Sequence, residues 1–480
     1  MKFITDLHLH SKYSRAVSQQ MVLSQMAHWA KLKGISVLAT ADFTHPFWFD
    51  KIKNELEEAG NGLYVLRQTA NSLRQTAGSG KQLAISEVYF LLSCEVSSIY
   101  SQGGKGRRIH TLFFFPSLKS VEKFNQALLK RGANLRSDGR PIVGISSRDL
   151  CEIALNIDDQ ALVIPAHAWT PWFSVFGAFS GFDSLEECFG DMVDNIFAIE
   201  SGLSSDPAMN WQIEELDTRS IVSFSDAHSL EKIGREATVF EAGEISYNAI
   251  YDAIVKGSKV TNVTNVSKGN KSSETFETSE TFVPSKIAFT IEFYPEEGKY
   301  HFTGHRDCSF SQNPQETAEK GDICPVCGRP LTIGVVHRVE QLKSQNSKVK
   351  TLIENGVRWI HSDNPARPPY VSLVPLSEIL AEALGVGVGT KTAVEGYHKL
   401  VANLDSEFNV LLKADLDEVS RYSAPRVAEA IQKVRSGDIV VEPGYDGKFG
   451  VVKIWPETEG NVEKNVQENK DEGQLDLFAG

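Results

Sequence analysis

The sequence predicts an α/β barrel of the TIM type, followed by a small zinc-binding module and a mainly helical C-terminal domain. In the first 262 of its 480 residues, short apolar runs alternate with helical patterns, which is typical of strands covered by helices. Metal-ligand residue types follow several of these runs, at the strand ends where barrel enzymes place their chemistry. Ligands from the first and last strands have to meet, and this favours a closed barrel over an open sheet.

The elements of the barrel can be placed in order. Each predicted strand is a short apolar run, and each predicted helix repeats apolar residues every three or four positions. Strands are expected at residues 3–6, 35–40, 88–92, 109–115, 161–164, 196–200 and 221–225. Helices are expected at residues 20–33, 49–58, 121–131 and 208–216. Alternating elements of this kind predict a parallel sheet covered by helices.

The rest of the chain divides by composition. Residues 263–285 are rich in Ser, Thr, Glu and Asn and are expected to form a flexible linker. The zinc module is expected at residues 286–342 and the helical domain at 343–455. Residues 456–480 are predicted to be an acidic, disordered tail.

Composition also narrows the class of protein. The net charge of −13 does not favour a general nucleic-acid binder, although local basic groups such as Arg107 and Arg108 leave DNA binding open. Six cysteines without regular spacing do not suggest a disulfide framework. No apolar run of about 18 residues predicts a membrane span, and the chain opens directly on a predicted strand rather than a signal peptide. We therefore expect a cytoplasmic protein.

Metal-ligand residues recur at the predicted strand ends. The candidates are Asp6, His8, His10, Glu95, His110, His167, Asp226 and His228. The first three alternate along one strand and are expected to face the same side, as are the last two. A lone histidine beside an apolar run is usually a core residue, but five placed this way with carboxylates predict a multinuclear metal site. Mixed histidine and carboxylate ligands suit Zn, Mn or Fe better than Mg.

A second metal site is predicted in the zinc module. Its expected ligands are His305, Cys308, Cys324 and Cys327. Cys-x-x-Cys followed by glycine forms a tight turn that presents two thiolates to one ion, and the His-x-x-Cys turn supplies the other two ligands. Four protein ligands leave no open position, so this zinc is expected to be structural and to supply folding energy.

The helical domain contains a glycine-rich stretch at residues 386–393. It fits the hairpin of a helix-hairpin-helix module, in which Gly387 and Gly389 let the backbone approach a DNA phosphate. Lys391 adds positive charge, whereas the order of residues does not fit a phosphate-binding P-loop. An ordinary glycine-rich helix link remains the alternative. Four basic residues on nearby helical stretches either continue this DNA face or are simply solvated: Arg421, Arg426, Lys433 and Arg435.

The tail carries a short apolar peptide near residue 480. It consists of Gln474, Leu475, Asp476, Leu477 and Phe478. An apolar peptide in a disordered tail is either inert or a docking motif. This one resembles the pentapeptide by which bacterial repair and replication proteins bind the β sliding clamp, and it therefore favours a bacterial source.

The pattern of barrel ligands resembles that of the polymerase and histidinol phosphatase (PHP) family of metal phosphoesterases. The stretches 6–14, 165–172, 199–207 and 442–454, with the zinc module, are more closely similar to the endonuclease Q family within it. The resemblance extends to about residue 455 and implies a distorted TIM-like (PHP) barrel. It also implies a repair nuclease that cuts 5′ to deaminated bases (uracil, hypoxanthine, xanthine) and abasic sites. The expected products have 3′-hydroxyl and 5′-phosphate ends.

The resemblance further implies how the barrel ligands divide between two metals. The first metal is expected on the four catalytic residues His8, His10, Glu95 and Asp226. The second metal is expected to share Glu95 and to bind His110 and His167.

A third metal site is left open by the resemblance. Its candidate ligands are His228, Asp42 and His45. Arg15 stands where many members of the family carry a ligand, and it is expected to contact phosphate instead. The predicted cofactors are thus two or three divalent ions in the barrel and one structural zinc.

Cleavage beside a damaged base requires the base to be flipped into a pocket. Trp169, Trp172 and Phe173 are candidates to stack on the lesion, with aromatic packing at the barrel mouth as the alternative. Ser204 and Ser205 offer hydroxyl groups to a base edge. The expected partners are double-stranded DNA with a flipped lesion, at the nucleoid, and the β sliding clamp, with no membrane.

Two other functions stay open. One is a phosphatase of a small phosphate monoester on the same barrel, which would need neither the zinc module, the hairpin nor the tail. The other is a catalytically inactive scaffold that binds DNA and recruits partners, against which the intact ligand set argues. The sequence leaves the preferred lesion, the native metal and the oligomeric state undetermined.

Overall fold

A computed structural model describes residues 1–67, 88–259 and 284–456. Almost all of the predicted linker and the whole apolar peptide at 474–478 lie outside these ranges. The described chain has a mixed α/β architecture with one large sheet and a helical C-terminal region, and both features confirm the prediction. None of its helices combines the length and apolarity that crossing a bilayer requires.

The strands and helices are numbered here in chain order. The strands are β1 (Lys2–Asp6), β2 (Val37–Ala39), β3 (Leu56–Glu58), β4 (Tyr64–Leu66), β5 (Tyr89–Gln102), β6 (Lys105–Phe115), β7 (Ile142–Val143), β8 (Leu162–Pro165), β9 (Ala198–Glu200), β10 (Ser220–Val222), β11 (Ala237–Glu241), β12 (Lys286–Glu292), β13 (Thr303–His305), β14 (Phe310–Gln312), β15 (Val349–Glu354), β16 (Val357–Ser362), β17 (Tyr370–Ser372), β18 (Val440–Glu442) and β19 (Val451–Lys453). The helices are α1 (Leu23–Lys33), α2 (Pro46–Glu55), α3 (Leu118–Lys130), α4 (Ser147–Ile157), α5 (Leu185–Phe189), α6 (Pro207–Asn210), α7 (Tyr247–Lys259), α8 (Pro314–Lys320), α9 (Val335–Leu342), α10 (Leu376–Leu384), α11 (Lys391–Asn403), α12 (Glu407–Leu412), α13 (Leu416–Tyr422) and α14 (Pro425–Ser436).

Strands of the N-terminal half are neighbours in a ring. β1 pairs with β2 and β2 with β5, both in parallel, and β6 lies between β5 and β8. The amide of Ala168, just after β8, donates to the carbonyl of Glu200 at the end of β9 (3.0 Å), and β9 pairs with β10. A bridge between Leu9 and Ala227 joins the segments that follow β1 and β10. The first and last strand ends therefore meet, as the distribution of ligands requires.

The expectation of a parallel sheet is wrong at β6. This strand runs antiparallel to both β5 and β8. It is joined to β5 by Gly103 and Gly104 alone, both with positive φ (61° and 74°). A two-residue turn can connect only antiparallel neighbours, and glycine pairs adopt the turn that matches strand twist. The Gly-Gly pair is thus a local sequence signal for an antiparallel hairpin at this point.

The large sheet continues past the ring. β1 also pairs antiparallel with β11, β11 pairs antiparallel with β12, and β12 pairs in parallel with β17. Residues 286–292, expected at the start of the zinc module, therefore extend the sheet that contains β1. The C-terminal half is built directly onto the barrel at this edge.

The predicted helix at 208–216 is shorter than expected. The α-helix ends at Asn210 and a 3-10 turn follows at Glu214–Thr218. The buried Asn210 amide donates to the carbonyl of Asp206 (2.8 Å) and accepts from the indole of Trp169 (2.7 Å). The polar side chain of Asn210 is thus held in the interior by hydrogen bonds, and the α-helix does not continue past this residue.

A buried ion pair connects the barrel to the helical domain. Lys33, at the end of α1, lies 2.7 Å from Glu407 of α12, and both side chains are almost fully buried. Glu407 also accepts from the hydroxyl of Tyr397 (2.8 Å) and the amide of Leu376 (3.0 Å). A charge that is buried and satisfied in this way fixes how α10, α11 and α12 pack against α1.

Candidate active site

The ring delivers ligand side chains from separate strands to one place. His8 and His10 follow β1, Glu95 lies within β5, His110 within β6, His167 follows β8, and Asp226 follows β10. Their ligand atoms form clusters in which all members lie within 4.8 Å of one another. The structure thus brings together the six residues expected to bind two metals.

The first cluster contains His8, His10 and Glu95, and Asp226, which is grouped with His10 and His228, adjoins it. His10 Nε2 lies 3.2 Å from both Glu95 Oε2 and Asp226 Oδ1. His8 Nε2 lies 3.7 Å from Glu95 Oε2 and 3.5 Å from Asp226 Oδ1. Two imidazole nitrogens and two carboxylate oxygens therefore face a common point.

This donor set fits a divalent cation. His8 Nε2, His10 Nε2 and Asp226 Oδ1 are buried without a hydrogen-bond partner. Buried polar atoms are almost always satisfied, so three unsatisfied atoms aimed at one point indicate a ligand. Imidazole nitrogens with carboxylate oxygens suit a transition metal.

The second cluster shares Glu95 with the first. Glu95 Oε1 lies 2.7 Å from His110 Nδ1 and 3.1 Å from His167 Nε2, and these two nitrogens are 3.2 Å apart. Glu95 therefore presents Oε2 to the first cluster and Oε1 to the second. A carboxylate in this position can bridge two cations.

Two carboxylates contact the Nδ1 atoms of the histidines of the first cluster, on the ring side opposite the other ligands. Glu200 accepts from His8 Nδ1 with both oxygens (2.9 and 3.0 Å), and Asp42 Oδ1 lies 3.2 Å from His10 Nδ1. A hydrogen bond at Nδ1 fixes the tautomer that leaves Nε2 free to bind metal and makes the ring a better ligand. Glu200 also accepts from the backbone amide of His167 (2.7 Å), so one side chain supports a ligand of each cluster.

The electrostatics of the site favour positive charge at the first cluster. Burial lowers the pKa of His8, but Glu200 and Asp226 raise it, and the net pKa lies well above the usual value. Burial raises the pKa of Asp226 and the neighbouring histidines lower it, with a net pKa well below the usual value. The carboxylates that favour a protonated His8 would also favour a divalent cation at the same position.

His110 has the opposite tendency. Burial lowers its pKa to about 4, more than the nearby Glu95 raises it. Its imidazole is therefore neutral at pH 7, with a nitrogen lone pair available to a metal. The second cluster is ready to bind a cation without first losing a proton from this ring.

The backbone around the ligands is strained. The backbone φ angles of His167 and Asp226 are 29° and 45°, values that residues other than glycine rarely adopt. Gly202 packs against His167 so closely that a Cβ would lie 2.5 Å from the His167 Cβ, and its own φ is 64°. Glycine is required here, and the surrounding structure holds His167 in a conformation that turns its ring toward Glu95.

Asp6 does not join the ligand clusters, although strand alternation placed it on their side. Its carboxylate accepts from the amide and the hydroxyl of Ser225 (3.0 and 2.5 Å) and from the amide of Gly234 (2.8 Å). It therefore anchors the segment that presents Asp226.

The candidates for a third metal occupy different places. His228 forms a cluster with His10 and Asp226 and so lies beside the first site. Both oxygens of Asp42 are engaged, by His10, by the Ser11 amide (2.7 Å) and by the Ser14 hydroxyl (2.8 Å).

His45 and Arg15 lie away from the ligand clusters. The ring of His45 stacks on Tyr13 (4.5 Å between centroids) and belongs to no ligand cluster among the described residues. Arg15 is exposed, and its backbone amide contacts Asp138 (3.3 Å).

The aromatic candidates for lesion stacking separate by burial. Trp169 is fully buried against Phe176, so its packing role prevails over lesion stacking. Phe173 lies beside the ring of His110 (4.8 Å between centroids), next to the second cluster. Trp172 is partly exposed and stacks on the exposed ring of Phe179 (4.8 Å).

The serine candidates are both largely buried. The Ser205 hydroxyl donates to the carbonyl of Ser201 (2.8 Å) and accepts from Asn210 (3.2 Å), so it serves the local fold. Ser204 lies 7% exposed beside Gly298. Of the two serines, Ser204 is the more exposed to solvent.

The four expected zinc ligands also form a cluster. The ligand atoms of His305, Cys308, Cys324 and Cys327 lie within 4.8 Å of one another. The cysteine turn is closed by the Gly328 amide, which donates to the carbonyl of Cys324 (2.9 Å). The arrangement is compatible with one tetrahedral ion.

The glycine-rich stretch connects α10 and α11 as a short loop. Gly387 and Gly389 are exposed, and Thr390 caps α11 by accepting from the amide of Ala393. Lys391 is 87% exposed and lies 3.7 Å from Glu395. The helix-loop-helix shape fits the predicted pattern, and its binding to DNA stays a prediction.

The nearby basic residues do not form a single surface. Arg435 is buried and donates to the carbonyls of Val410, Leu411 and Ala414, where it closes the end of α12. Lys433 pairs with Asp438 (2.5 Å). Arg435 therefore supports helix packing and is not part of a DNA-binding face.

Two residues beside the ligands, Glu200 and Arg140, are not among the site residues that the sequence predicts. Glu200 ends an apolar strand, the same signal that singled out Glu95, so its position could have been found. Arg140 donates to Glu95 Oε2 (3.1 Å) from a loop, and its sequence neighbourhood gives no hint of this contact.

The chain is similar to two protein families and to two proteins of known sequence. Residues 375–438 match the family described as MJ0043 C-terminal domain, and residues 219–258 match the family described as PHP-associated. The chain is 30% identical over 468 residues to the uncharacterized protein YqxK of Bacillus subtilis, covering 94% of this chain and 99% of YqxK. It is also 30% identical over 295 residues to the uncharacterized protein MJ0043 of Methanocaldococcus jannaschii. That match covers 61% of this chain, which spans only 32% of the length of MJ0043.

Two solved structures share the fold over nearly the whole chain. The lesion-specific endonuclease PfuEndoQ from Pyrococcus furiosus matches with a TM-score of 0.74 and 28% identity, over 97% of this chain and 98% of that one. A complex of endonuclease Q with a 27-mer duplex, carrying an abasic lesion at the active site, matches with the same TM-score and identity, over 97% and 99%.

Fold and ligand set together define the class: the protein is an enzyme, a metal-dependent hydrolase. The matches extend over the barrel, the zinc module and the helical domain alike, so they concern the whole described architecture. The chain belongs to the family of YqxK, and its fold is similar to that of endonuclease Q.

Proposed function

We propose that this protein is a DNA repair endonuclease that hydrolyses the phosphodiester 5′ to deaminated bases and abasic sites. The expected products carry 3′-hydroxyl and 5′-phosphate ends. The observation that carries the proposal is the pair of ligand clusters joined by Glu95, on a fold shared with a lesion-specific endonuclease. The enzyme is expected to act in the cytoplasm, on DNA of the nucleoid.

The residues of the site would serve either as metal ligands or as groups that orient those ligands. His8, His10, Asp226 and Glu95 Oε2 would hold one divalent cation, and Glu95 Oε1, His110 and His167 would hold the other. Such a pair supplies a nucleophile at neutral pH and stabilises charge at phosphorus. Glu200 and Asp42 keep the imidazoles oriented, and the tie from Asp6 to Ser225 keeps Asp226 in place. His228 either completes the first site or contributes to a third. The number of metal ions bound per chain distinguishes these two arrangements.

Recognition of DNA would use surfaces outside the metal centre. Gly387, Gly389 and the start of α11 can bind a backbone phosphate, because exposed amides at a helix N-terminus attract anions. Phe173 lies beside His110 and is the candidate to stack on a flipped base. Trp172, with Phe179, is the candidate to contact the opened duplex. The peptide at 474–478 is proposed to dock on the β sliding clamp.

The proposal is tested with end-labelled duplexes that carry deoxyuridine, deoxyinosine, an abasic site or no lesion. With Mn or Zn present, a single nick 5′ to the lesion is expected, and it should disappear on chelation. Asp226→Asn should abolish the nick and retain DNA binding, whereas Asp159→Asn, an exposed aspartate, should behave as wild type.

Two results would contradict the proposal. Release of phosphate from a generic monoester without any lesion-dependent nick would indicate a small-molecule phosphatase. DNA binding without hydrolysis of any phosphate ester, in a fully metal-loaded sample, would indicate a scaffold.

A further inference from the structure

Arg140 is a cation fixed at the metal centre that the ligand assignment does not use. It precedes β7, which pairs in parallel with β5, the strand that carries Glu95. Its guanidinium donates from Nη1 to Glu95 Oε2 at 3.1 Å. This is the same oxygen that lies 3.2 Å from His10 Nε2. The positive charge of Arg140 is therefore adjacent to the first cation position.

The loop that carries Arg140 is held rigidly. The amide of Gly139 donates to the carbonyl of Tyr13 (3.0 Å), and its own carbonyl accepts from the Thr44 hydroxyl (3.1 Å). A Cβ at residue 139 would lie 2.4 Å from Asp42 Oδ2, so only glycine fits against the carboxylate that supports His10. The position of the guanidinium is thus built into the same framework as the metal ligands.

Most of the hydrogen-bonding capacity of Arg140 is not used by the protein. A guanidinium has five N–H donors. Within the described ranges, the bond to Glu95 is the one found for this side chain. The side chain is 17% exposed, so the other donors can reach a bound molecule at the mouth of the site. A planar, partly used guanidinium is well suited to the oxygens of a phosphate.

Among the described residues, no third group of barrel ligands is independent of the first two. Asp42 has both oxygens engaged, and His45 stacks on Tyr13. His228 clusters with His10 and Asp226, which already belong to the first cation position. A third positive charge near the substrate can therefore come from a group that is not a metal ligand.

We propose that Arg140 supplies this third positive charge and binds a non-bridging oxygen of the phosphate ester, beside a two-ion centre. The inference rests on the proposed function only in that the substrate is a phosphate ester. The guanidinium stabilises the charge that develops on phosphorus oxygens, while Glu95 holds it in place. Arg140 is in this way a catalytic residue that contacts the substrate.

Metal content is the first test. Elemental analysis of the full chain, loaded with Mn in the barrel and zinc in the module, should find two Mn and one Zn per chain. Arg140→Gln should leave both values unchanged. Three Mn in the wild type would overturn the proposal, as would loss of a barrel ion in Arg140→Gln, which would make the arginine a support for Glu95.

Phosphate binding and turnover are the second test. Inorganic phosphate should inhibit the wild type, and Arg140→Gln should weaken this inhibition at least about tenfold and lower turnover by about 100-fold, the usual effect of removing one donor to a transition state. Arg140→Lys should restore part of the loss because it keeps the charge. Arg136→Gln, an exposed arginine on the same loop, is the matched control. Unchanged inhibition by phosphate in Arg140→Gln would overturn the proposal.

The second test is run with both a lesion-bearing duplex and bis(p-nitrophenyl) phosphate. A wild type that cuts the simple diester but no lesion contradicts the proposed function and still allows Arg140 to be judged. Turnover of both substrates that is insensitive to Arg140 contradicts the present inference alone.

Discussion

Glu200→Gln is expected to weaken metal binding without removing a metal ligand. Glu200 accepts two contacts from His8 Nδ1 (2.9 and 3.0 Å) and one from the amide of His167 (2.7 Å). Glutamine has the same size but only one acceptor oxygen, so its amide group must face one of these N–H donors. At least one charge-assisted hydrogen bond is lost, and His8 and His167 are both less well held.

The size of the effect follows from these contacts. A hydrogen bond to a charged group contributes about 1.5–3 kcal/mol. Since about 1.4 kcal/mol corresponds to a tenfold change in affinity, the loss predicts a roughly 10- to 100-fold weaker apparent affinity for metal. The same range is typical when a partner that orients a metal-bound histidine is removed.

Competition with a fluorescent chelator measures the affinity, and cleavage is followed as a function of Mn or Zn concentration. Glu200→Gln should need more metal and then recover most of its activity at saturation. Glu214→Gln, an exposed glutamate of the barrel, is the control. An unchanged metal affinity, or an activity loss that excess metal does not restore, would refute the assigned role of Glu200.

Three further predictions concern other parts of the molecule. Burial raises the pKa of Glu292 to about 8, so the folded state binds a proton that the unfolded state has released, and stability should fall as the pH rises from about 5 to 8. Glu292→Gln should flatten this dependence and be more stable than wild type at pH 8.5 in denaturant titrations, and an equal pH slope in both proteins would contradict it. Cys308→Ser should lower the zinc content by one ion and reduce the thermal stability of the full chain while the barrel keeps its Mn; retention of zinc would exclude Cys308 as a ligand. Deletion of residues 474–480 should abolish binding to a bacterial sliding clamp in a pull-down yet leave cleavage of a short free duplex unchanged, and lost cleavage would contradict a purely tethering role.

The strand assignments were predictable because they depend on local pattern. Alternation placed His8 and His10 on one face just past β1, and the apolar runs beside Glu95, His110 and His167 placed each within a strand or just past its end, as the structure confirms. The clustering of His305, Cys308, Cys324 and Cys327 was also predictable, because a metal turn is defined by spacing over a few residues.

Other features depend on which strands become neighbours. Asp6 alternates correctly with His8, yet it bonds to Ser225 because β10 ends beside it. Trp169 has the composition of a stacking residue, and only its packing against Phe176 shows that it is core. The direction of β6 follows from Gly103 and Gly104, a local signal that the strand-helix alternation outweighed.

The sequence by itself determined the residue types of the metal centre, the order of strands and helices that carry them, and the two turns that carry the clustered His305, Cys308, Cys324 and Cys327. Each of these is set by spacing within one segment of the chain. The tertiary structure alone decided that Glu95 faces both clusters, that Glu200 stands behind His8, and that Arg140 reaches Glu95 from a distant loop. These contacts join residues far apart in the chain, and their geometry exists only when the ring of strands closes and buries them together.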